Sequence, residues 1–284
     1  MNKENLMLEF FNAHQWLYTS IGSGNHIAAG TECLAWQDTF IRYIQELNKT
    51  NQATPPYGII HTYHIEQPTV ILGPKDTKLN QLSDGIQFLL QQQHVPILRA
   101  HGGLAVVSDP GTLNISYISD TTHCPLSIDE AYEQMIYWIR NALLPFGLAV
   151  ESYEVPQSYC PGKYDIVINQ QKIGGIAQRR FKNGVATAAY ISVNGNQLNR
   201  ANLIHDFYQR SAATNDYPDV QAAVMATVND FVDAPFTVES FERLLLDTIS
   251  QQRPIQTLET SHLAQSTLFQ SMLQKSEQRN QSLF

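Results

Sequence analysis

The segment from Tyr164 to Val193 limits the fold most tightly, because it contains consecutive strand-forming runs joined by a turn. Asn183-Gly184 lies between two of these runs and is the strongest short-range hairpin signal in the chain. A connection this short joins antiparallel neighbours, since parallel strands need a crossover of a dozen or more residues. The sequence therefore predicts that part of the sheet is antiparallel.

The remaining predicted elements mix strands with helices. Strand patterns occur at 59–63, 69–72, 95–99, 104–107 and 113–118. Helical patterns occur at 34–47, 81–93, 127–144, 203–208 and 241–252. Because the two types do not alternate as in βαβ folds, we expect an α+β domain with a mixed or mostly antiparallel sheet and flanking helices. One domain is expected over 1–250, followed by a polar C-terminal helix and loose tail over 251–284.

Charge and hydropathy exclude several classes of partner. The chain carries 18 Lys and Arg against 26 Asp and Glu, a net charge of −8. Nucleic acid and anionic membranes attract positive surfaces, so neither is expected as a partner. No segment approaches the ~20 apolar residues of a membrane span, and no signal peptide is recognisable at the N-terminus. We therefore expect a cytoplasmic protein.

Three cysteines, Cys33, Cys124 and Cys160, are present. Their number is odd and no C-x-x-C pair occurs, which argues against a disulfide framework or a thiolate metal site. Most free cysteines are buried small hydrophobes, and we interpret Cys33 and Cys124 in this way.

Cys160 differs from the other two in the charges that follow it. Between 160 and 182 the chain has one acid, Asp165, and five basic residues: Lys163, Lys172, Arg179, Arg180 and Lys182. Such neighbours stabilise a thiolate, which is the nucleophilic form of cysteine. Cys160 is therefore a candidate nucleophile, and a packing role is the alternative.

Two glycine-containing motifs are further candidates. Arg99-Ala100-His101-Gly102-Gly103 joins two predicted strands, where paired glycines would let the backbone approach a ligand or form a tight corner. The run from Lys172 to Arg180 places a lysine at the start of a strand interrupted by Gly174-Gly175. That lysine is either functional or an ordinary exposed residue after a turn. No P-loop, H-E-x-x-H or G-x-S-x-G motif occurs.

The chain resembles the lipoate-protein ligase A, biotin ligase and octanoyltransferase superfamily. The resemblance rests on these two motifs and on the run from Ser158 to Asp165, which contains Cys160-Pro161-Gly162. The resemblance covers roughly 34–249. Within the superfamily, the chain looks like the cysteine-dependent octanoyltransferases of Gram-positive bacteria. It departs from the pattern at His101, where a serine is expected.

The resemblance implies a biotin/lipoate ligase catalytic fold over 1–250 and an acyl transfer. Cys160 would take an octanoyl group from the octanoyl-lysine of glycine cleavage H protein and pass it to lipoyl domains of 2-oxoacid dehydrogenases. Lys172 would lower the pKa of the thiol and move protons. The residues expected to bind the acyl group or its backbone are Arg99, His101, Gly102, Gly103 and Gly175, with the amides of Gly102 and Gly103 as oxyanion donors. Expected lining residues are Leu72, Val106 and Ile176. No ATP or metal is expected.

Three alternatives stay open. The octanoyl donor could be acyl carrier protein, since the donor cannot be read from these residues. An ATP-dependent lipoate ligase is the second; it usually carries an accessory domain, for which the 34 residues after Ser250 are few. The third is a non-catalytic protein that binds lipoylated carriers. In each case we expect the basic 160–182 segment to contact the carrier.

One geometric difficulty accompanies the Lys172 hypothesis. If 164–169 and 172–181 form a plain hairpin, Lys172 lies at the turn and Cys160 at the opposite end, on the order of 20 Å away. Direct pairing requires that the loop at 159–163 fold back over the sheet.

Overall fold

The computed structural model describes residues 3–22, 29–52 and 54–284. The strands are β1 (Gln15–Ile21), β2 (Tyr57–Tyr63), β3 (Thr69–Leu72), β4 (Val95–Leu98), β5 (Val106–Ser108), β6 (Thr112–Asp120), β7 (Val150–Ser152), β8 (Ile166–Ile168), β9 (Gln171–Phe181), β10 (Gly184–Ser192) and β11 (Ile255–Thr257). The helices are α1 (Lys3–Asn12), α2 (Gly30–Asn51), α3 (Leu82–Gln91), α4 (Ile128–Leu143), α5 (Gln197–Arg210), α6 (Val238–Ser250), α7 (Ser261–Ala264) and α8 (Thr267–Gln281). Short 3-10 helices span Asp76–Lys78, Leu144–Phe146, Ala222–Val224 and Val228–Phe231.

In the described residues, eight strands form the main sheet in the order β11-β1-β2-β6-β10-β9-β8-β7. Only the pairs β11-β1 and β1-β2 are parallel. A second sheet has the order β4-β3-β5, with β3 parallel to β4 and antiparallel to β5. The expected α+β domain with a mixed, mostly antiparallel sheet is confirmed.

The predicted hairpin is present between β9 and β10. Gly184, however, lies in strand β10 and is not one of the two loop residues, as an Asn-Gly turn would have it. Gly184 is paired with Phe181, so the two loop residues are Lys182 and Asn183, and Lys182 has a φ of 53°. A Cβ on Gly184 would lie 2.4 Å from the carbonyl oxygen of Ile41 in α2. The glycine is required by this close approach of the helix to the sheet.

The predicted start of α4 is also confirmed. The Ser127 side chain accepts a hydrogen bond from the Glu130 amide at 3.2 Å, and the Glu130 carboxylate accepts one from the Ser127 amide at 2.8 Å. This reciprocal capping box satisfies amides that the first helical turn leaves without partners.

Apolar side chains bury both faces of the main sheet. One core contains α2, α3, α5, α8 and the second sheet, and the other contains α1, α4 and α6. The site described below lies in the first core, between α2, the second sheet and the β9-β10 hairpin. Within the described ranges, no helix combines the length and apolar character needed to cross a membrane.

The C-terminal segment differs from the loose tail that its polar composition suggests. β11 pairs with β1, and α8 packs along α2 through Phe269 and Met272, which are 4% and 3% exposed. The Phe269 ring stacks on Trp36 with the ring centroids 4.1 Å apart. A few apolar residues at helical spacing are enough to dock a helix whose other positions are polar.

We predict that Phe269→Ala lowers the free energy of unfolding by about 3 kcal/mol, because it removes a buried ring and leaves a cavity against Trp36. Urea denaturation of both proteins measures this difference. Gln274→Ala, an exposed change on the same helix, is the control and should stay within about 0.5 kcal/mol. Equal stability of the Phe269 variant and the control would show that α8 does not pack as described.

Candidate functional site

Cys160 lies in the loop between β7 and β8 and has a φ of 47°. A non-glycine residue in this left-handed region costs on the order of 1–3 kcal/mol and persists only where the surroundings hold it. Such strain clusters at functional sites. Cys33, by contrast, is fully buried, and burial raises the pKa of its thiol to about 12, in keeping with a packing residue.

Two hydrogen-bond donors face the sulfur of Cys160. The backbone amide of Leu104 is 3.2 Å from Sγ, and Nη2 of Arg99 is 3.8 Å from it. A full positive charge and an oriented N–H dipole both favour negative charge on sulfur. Gly103 precedes this amide with a φ of +98°, and a Cβ there would lie 2.7 Å from Arg99 Nη2 and 3.1 Å from Sγ. The glycine therefore leaves room for both groups.

Arg99 is 6% exposed and connects the turn to the second sheet. Its Nη1 donates to the carbonyl of Ile71 at 2.8 Å, and its Nη2 donates to that of Leu104 at 2.6 Å. Its Nε donates to the carbonyl of Gly102 at 3.3 Å. One guanidinium thus holds the 102–104 turn in place and places its charge beside Cys160.

Lys172 is fully buried beneath the Cys160 loop. Its Nζ is 2.9 Å from a carboxylate oxygen of Asp165 and 2.8 Å from the carbonyl oxygen of Cys160. It also donates to the Tyr159 carbonyl at 2.9 Å and to the Ser158 hydroxyl at 3.1 Å. The loop therefore folds back over β9, and the large separation of a plain hairpin does not occur. The ammonium binds the backbone of Cys160; its hydrogen bonds do not go to the sulfur.

Asp165 is the residue of this cluster that the sequence analysis did not select, although it is the single acid in the basic 160–182 segment. Its second oxygen accepts the amide of Val155 at 3.0 Å, which ties the start of the loop to its end. Burial raises the pKa of Asp165 above its usual range, and the Lys172 ammonium opposes that rise.

A cavity of about 300 Å³ opens beside Cys160. All five residues expected to bind the acyl group line it, as do Val106 and Ile176, whereas Leu72 does not. Gly175 contributes by its small size, since a Cβ there would lie 2.9 Å from the Tyr190 ring. Further apolar or aromatic lining residues are Leu34, Tyr63, Ile71, Tyr132, Ala188, Ala189 and Tyr190.

His101 lines this cavity as a neutral imidazole. Burial, together with the nearby charges of Arg99, Arg179 and Arg279, lowers the pKa of the ring to about 3. Among the described residues, neither ring nitrogen has a hydrogen-bond partner. His101 therefore adds hydrogen-bonding capacity to the site without adding charge.

Two further polar residues, Asp76 and Tyr208, support the backbone that follows the 102–104 turn. Neither was a candidate from the sequence. The Tyr208 hydroxyl accepts the amide of Ala105 at 3.2 Å and donates to Asp76 at 3.0 Å. Asp76 also accepts the amide of Gly73 at 2.8 Å. Burial raises the pKa of Asp76 to about 6, against the opposing effects of the Gly73 amide and Arg99. Nothing local in the sequence links Asp76 to Tyr208, which is 132 residues away.

The basic segment at 160–182 is less positive in the folded chain than in the sequence. Three of its five cations face carboxylates, and two of these pairs are formed with residues outside the segment. The pairs are Lys163 with Asp129 at 3.1 Å, Lys172 with Asp165 at 2.9 Å and Arg179 with Asp38 at 3.0 Å. Within the described residues, no group of three His, Cys, Asp or Glu side chains has the arrangement of a metal site.

The fold and the site together define an α+β domain whose strained loop cysteine faces an apolar cavity, an arrangement suited to carrying an acyl group as a thioester. The family model described as the lipoyl protein ligase A/B catalytic domain matches residues 30–250. The chain belongs to this family, as its motifs indicate.

Similar proteins support the assignment to this family. The octanoyl-[GcvH]:protein N-octanoyltransferase of Lysinibacillus sphaericus is 34% identical over 257 residues, which is 88% of each chain. The protein of the same name from Staphylococcus epidermidis is 35% identical over 85% of this chain and 84% of its own length. A lipoyl-[GcvH]:protein N-lipoyltransferase from Listeria monocytogenes is 37% identical over 59% of this chain and 62% of its own length.

Solved structures confirm the fold. A lipoate-protein ligase A bound with ATP superposes with a TM-score of 0.64 at 19% identity, covering 95% of this chain and 99% of the other. P. falciparum LipL1 in complex with lipoate gives 0.64 at 15% identity, covering 93% of this chain and 71% of the other. The biotin/lipoate ligase fold expected from the resemblance is therefore correct.

The raised pKa of Asp76 predicts a pH dependence of stability. Because the folded-state pKa is about 6 and the ordinary value is 3.8, Asp76 favours the fold at low pH, and this contribution is lost as the pH rises through about 6. Asp76→Asn should remove this dependence. Thermal unfolding at about pH 4 and about pH 8 tests it, because wild type should lose stability relative to the variant as pH rises. A constant difference between the two proteins would contradict the prediction.

Proposed function

We propose that this chain moves an octanoyl group from the octanoyl-lysine of glycine cleavage H protein to the lysine of lipoyl domains of 2-oxoacid dehydrogenases, through a thioester on Cys160. The observation that carries the proposal is the placement of the Cys160 sulfur, 3.2 Å from the Leu104 amide and 3.8 Å from Arg99, at an apolar cavity. The octanoyl donor is proposed from the names of two similar proteins, both octanoyl-[GcvH]:protein N-octanoyltransferases.

In the first half-reaction, the Cys160 thiolate attacks the carbonyl carbon of the octanoyl-lysine amide. The C–S bond forms, the C–N bond breaks, and the leaving lysine nitrogen takes up one proton from solvent, so that it departs as an amine. The same proton equivalent returns to solvent in the second half-reaction. The Leu104 amide and the Arg99 guanidinium stabilise the thiolate before attack and lie within reach of the oxygen of a carbonyl bonded to Sγ.

In the second half-reaction, a neutral lysine amine of the acceptor attacks the thioester. The new C–N bond replaces the C–S bond, the amine loses one proton, and the thiolate is restored. One lysine amide is exchanged for another, so the overall step is close to thermoneutral and requires no ATP.

The cavity accounts for selection of the acyl chain. Burying about seven carbons of an octanoyl group contributes on the order of 5 kcal/mol of binding. Val106 and Ile176 provide apolar wall, and Gly175 keeps the space over Tyr190 open. His101 offers the neutral hydrogen-bonding group of the site, in place of the expected serine. Gly102 and Gly103 shape the turn that presents the Leu104 amide to the sulfur.

Lys172 has a role here that differs from direct contact with the thiol. Its ammonium holds the carbonyl of Cys160 and thereby the left-handed backbone that points the sulfur at Leu104. Asp165 compensates the buried charge and anchors Val155 at the other end of the loop. Lys172 is therefore a positioning residue for the nucleophile.

The covalent step is tested by mass spectrometry of the protein after incubation with octanoyl-H protein. We expect an octanoyl adduct on the peptide that contains Cys160, and we expect Cys160→Ala to lose both the adduct and at least about a thousandfold of the transfer rate. Cys124→Ala is the matched control and should behave as wild type. Transfer by the Cys160 variant at the wild-type rate would rule out the thioester.

The same assay with octanoyl-acyl carrier protein tests the donor. The proposal expects adduct formation from H protein to be the faster by a wide margin. Faster acylation from acyl carrier protein would replace the proposed donor while leaving the thioester in place.

A pair of substitutions tests the Lys172 role. Lys172→Met leaves the Asp165 charge buried without its partner and should cost about 3–5 kcal/mol of stability. Adding Asp165→Asn should recover most of that loss, as thermal unfolding would show, but not the transfer rate, because the Cys160 carbonyl still lacks its ammonium. Full activity in the stable double variant would show that Lys172 is dispensable.

A further inference from the structure

Helix α8 lies outside residues 30–250, the part of the chain that the family model matches, yet it reaches the active-site loop. Its last turn is placed against the end of β4, one residue before Arg99. Asn280, which is 9% exposed, accepts the Leu98 amide through Oδ1 at 2.6 Å. Arg279 donates to the Leu98 carbonyl at 3.4 Å. Both backbone groups of Leu98 therefore bind α8.

The Leu98 amide needs such a partner because β4 is the edge strand of the second sheet and pairs only with β3. Asn280 substitutes for a neighbouring strand. Its own NH2 group donates to the Ser276 carbonyl at 2.8 Å, which orients the amide so that its oxygen faces Leu98. A buried amide left without an acceptor would cost about 1–3 kcal/mol, so the contact fixes the peptide in this position.

The same helix also contacts α2, which contributes to the cavity wall. Ser276 donates to the carbonyl of Thr31 in α2 at 2.9 Å, and Arg279 pairs with Asp38 of α2 at 3.4 Å. Leu34 and Gln37 of α2 line the cavity, as does Arg99. Helix α8 thus connects two segments that line the cavity in which the acyl group would bind.

We infer that α8 is a positioning element of the Cys160 site, and that Asn280 sets the Arg99 guanidinium beside the sulfur by fixing the backbone amide of Leu98, the residue that precedes it. The inference extends the proposed function and depends on it for the role of Cys160 as nucleophile. The effect of Asn280 on the position of Arg99 does not depend on which acyl donor is used, because it concerns the charge beside the sulfur.

The test uses the full chain and measures alkylation of Cys160 by iodoacetamide at neutral pH, followed at the Cys160 peptide by mass spectrometry. Asn280→Ala should slow this alkylation about fivefold, because a displaced Arg99 stabilises less thiolate. Gln274→Ala, an exposed change on the same helix, should retain the wild-type rate.

A purely structural role of Asn280 predicts the opposite change in the alkylation rate of Cys160. If loss of Asn280 only loosens the fold, Cys160 and the buried Cys33 become more accessible, and both alkylate faster. That result, or equal rates in Asn280→Ala and Gln274→Ala, would overturn the inference. Should Asn280→Ala not fold, Arg279→Gln provides a second variant, for which slower alkylation at Cys160 is again expected and an unchanged rate counts against the inference.

Steady-state transfer separates this inference from the proposed function. With octanoyl-H protein as donor, Asn280→Ala should lower kcat about as much as it slows alkylation and leave KM for the carrier unchanged. If wild type transfers no octanoyl group but the alkylation pattern holds, the proposed function fails and the positioning role of α8 stands.

Discussion

The buried ion pair between Lys172 and Asp165 is the interaction on which the rest of the site depends. The two side chains are 0% and 2% exposed and 2.9 Å apart, so each charge requires the other. The ammonium also binds the carbonyls of Tyr159 and Cys160, which holds the loop against β9. This anchoring supports the left-handed backbone of Cys160, whose sulfur faces the 102–104 turn.

Arg99 completes the site from the second sheet. It binds carbonyl oxygens of Ile71, Gly102 and Leu104 and places its charge near the sulfur. Tyr208 supports the next residue of the turn through the Ala105 amide. The donors that face the sulfur therefore come from the turn that follows β4, and Tyr208 of α5 supports this turn. A cysteine held in this way would need little rearrangement to act as the proposed nucleophile, which is the advantage of a site built on rigid elements.

Local sequence signals predicted the local parts of this structure. Asn183-Gly184 marked the hairpin, the helical pattern at 127–144 began at the N-cap residue of α4, and the strand at 69–72 was found with its observed limits. Contacts over long separations were not predicted. Asp165 was visible as the one acid in a basic segment. The Leu104 amide, the Tyr208 hydroxyl and Asn280 carry no local signal, since the hydrogen-bond partner of each lies 56 to 182 residues away.

By itself, the sequence determined the α+β class, the family and the candidate residues Cys160, Lys172 and Arg99, because turn chemistry, periodicity and motifs are properties of short segments. The tertiary structure alone decided how those residues act. It placed the Lys172 ammonium on the backbone of Cys160 and brought Arg99 and the Leu104 amide to the sulfur. It also docked the expected C-terminal helix against α2 and the end of β4. Such pairings depend on sheet register and on the path of a loop over the sheet, which no short segment encodes.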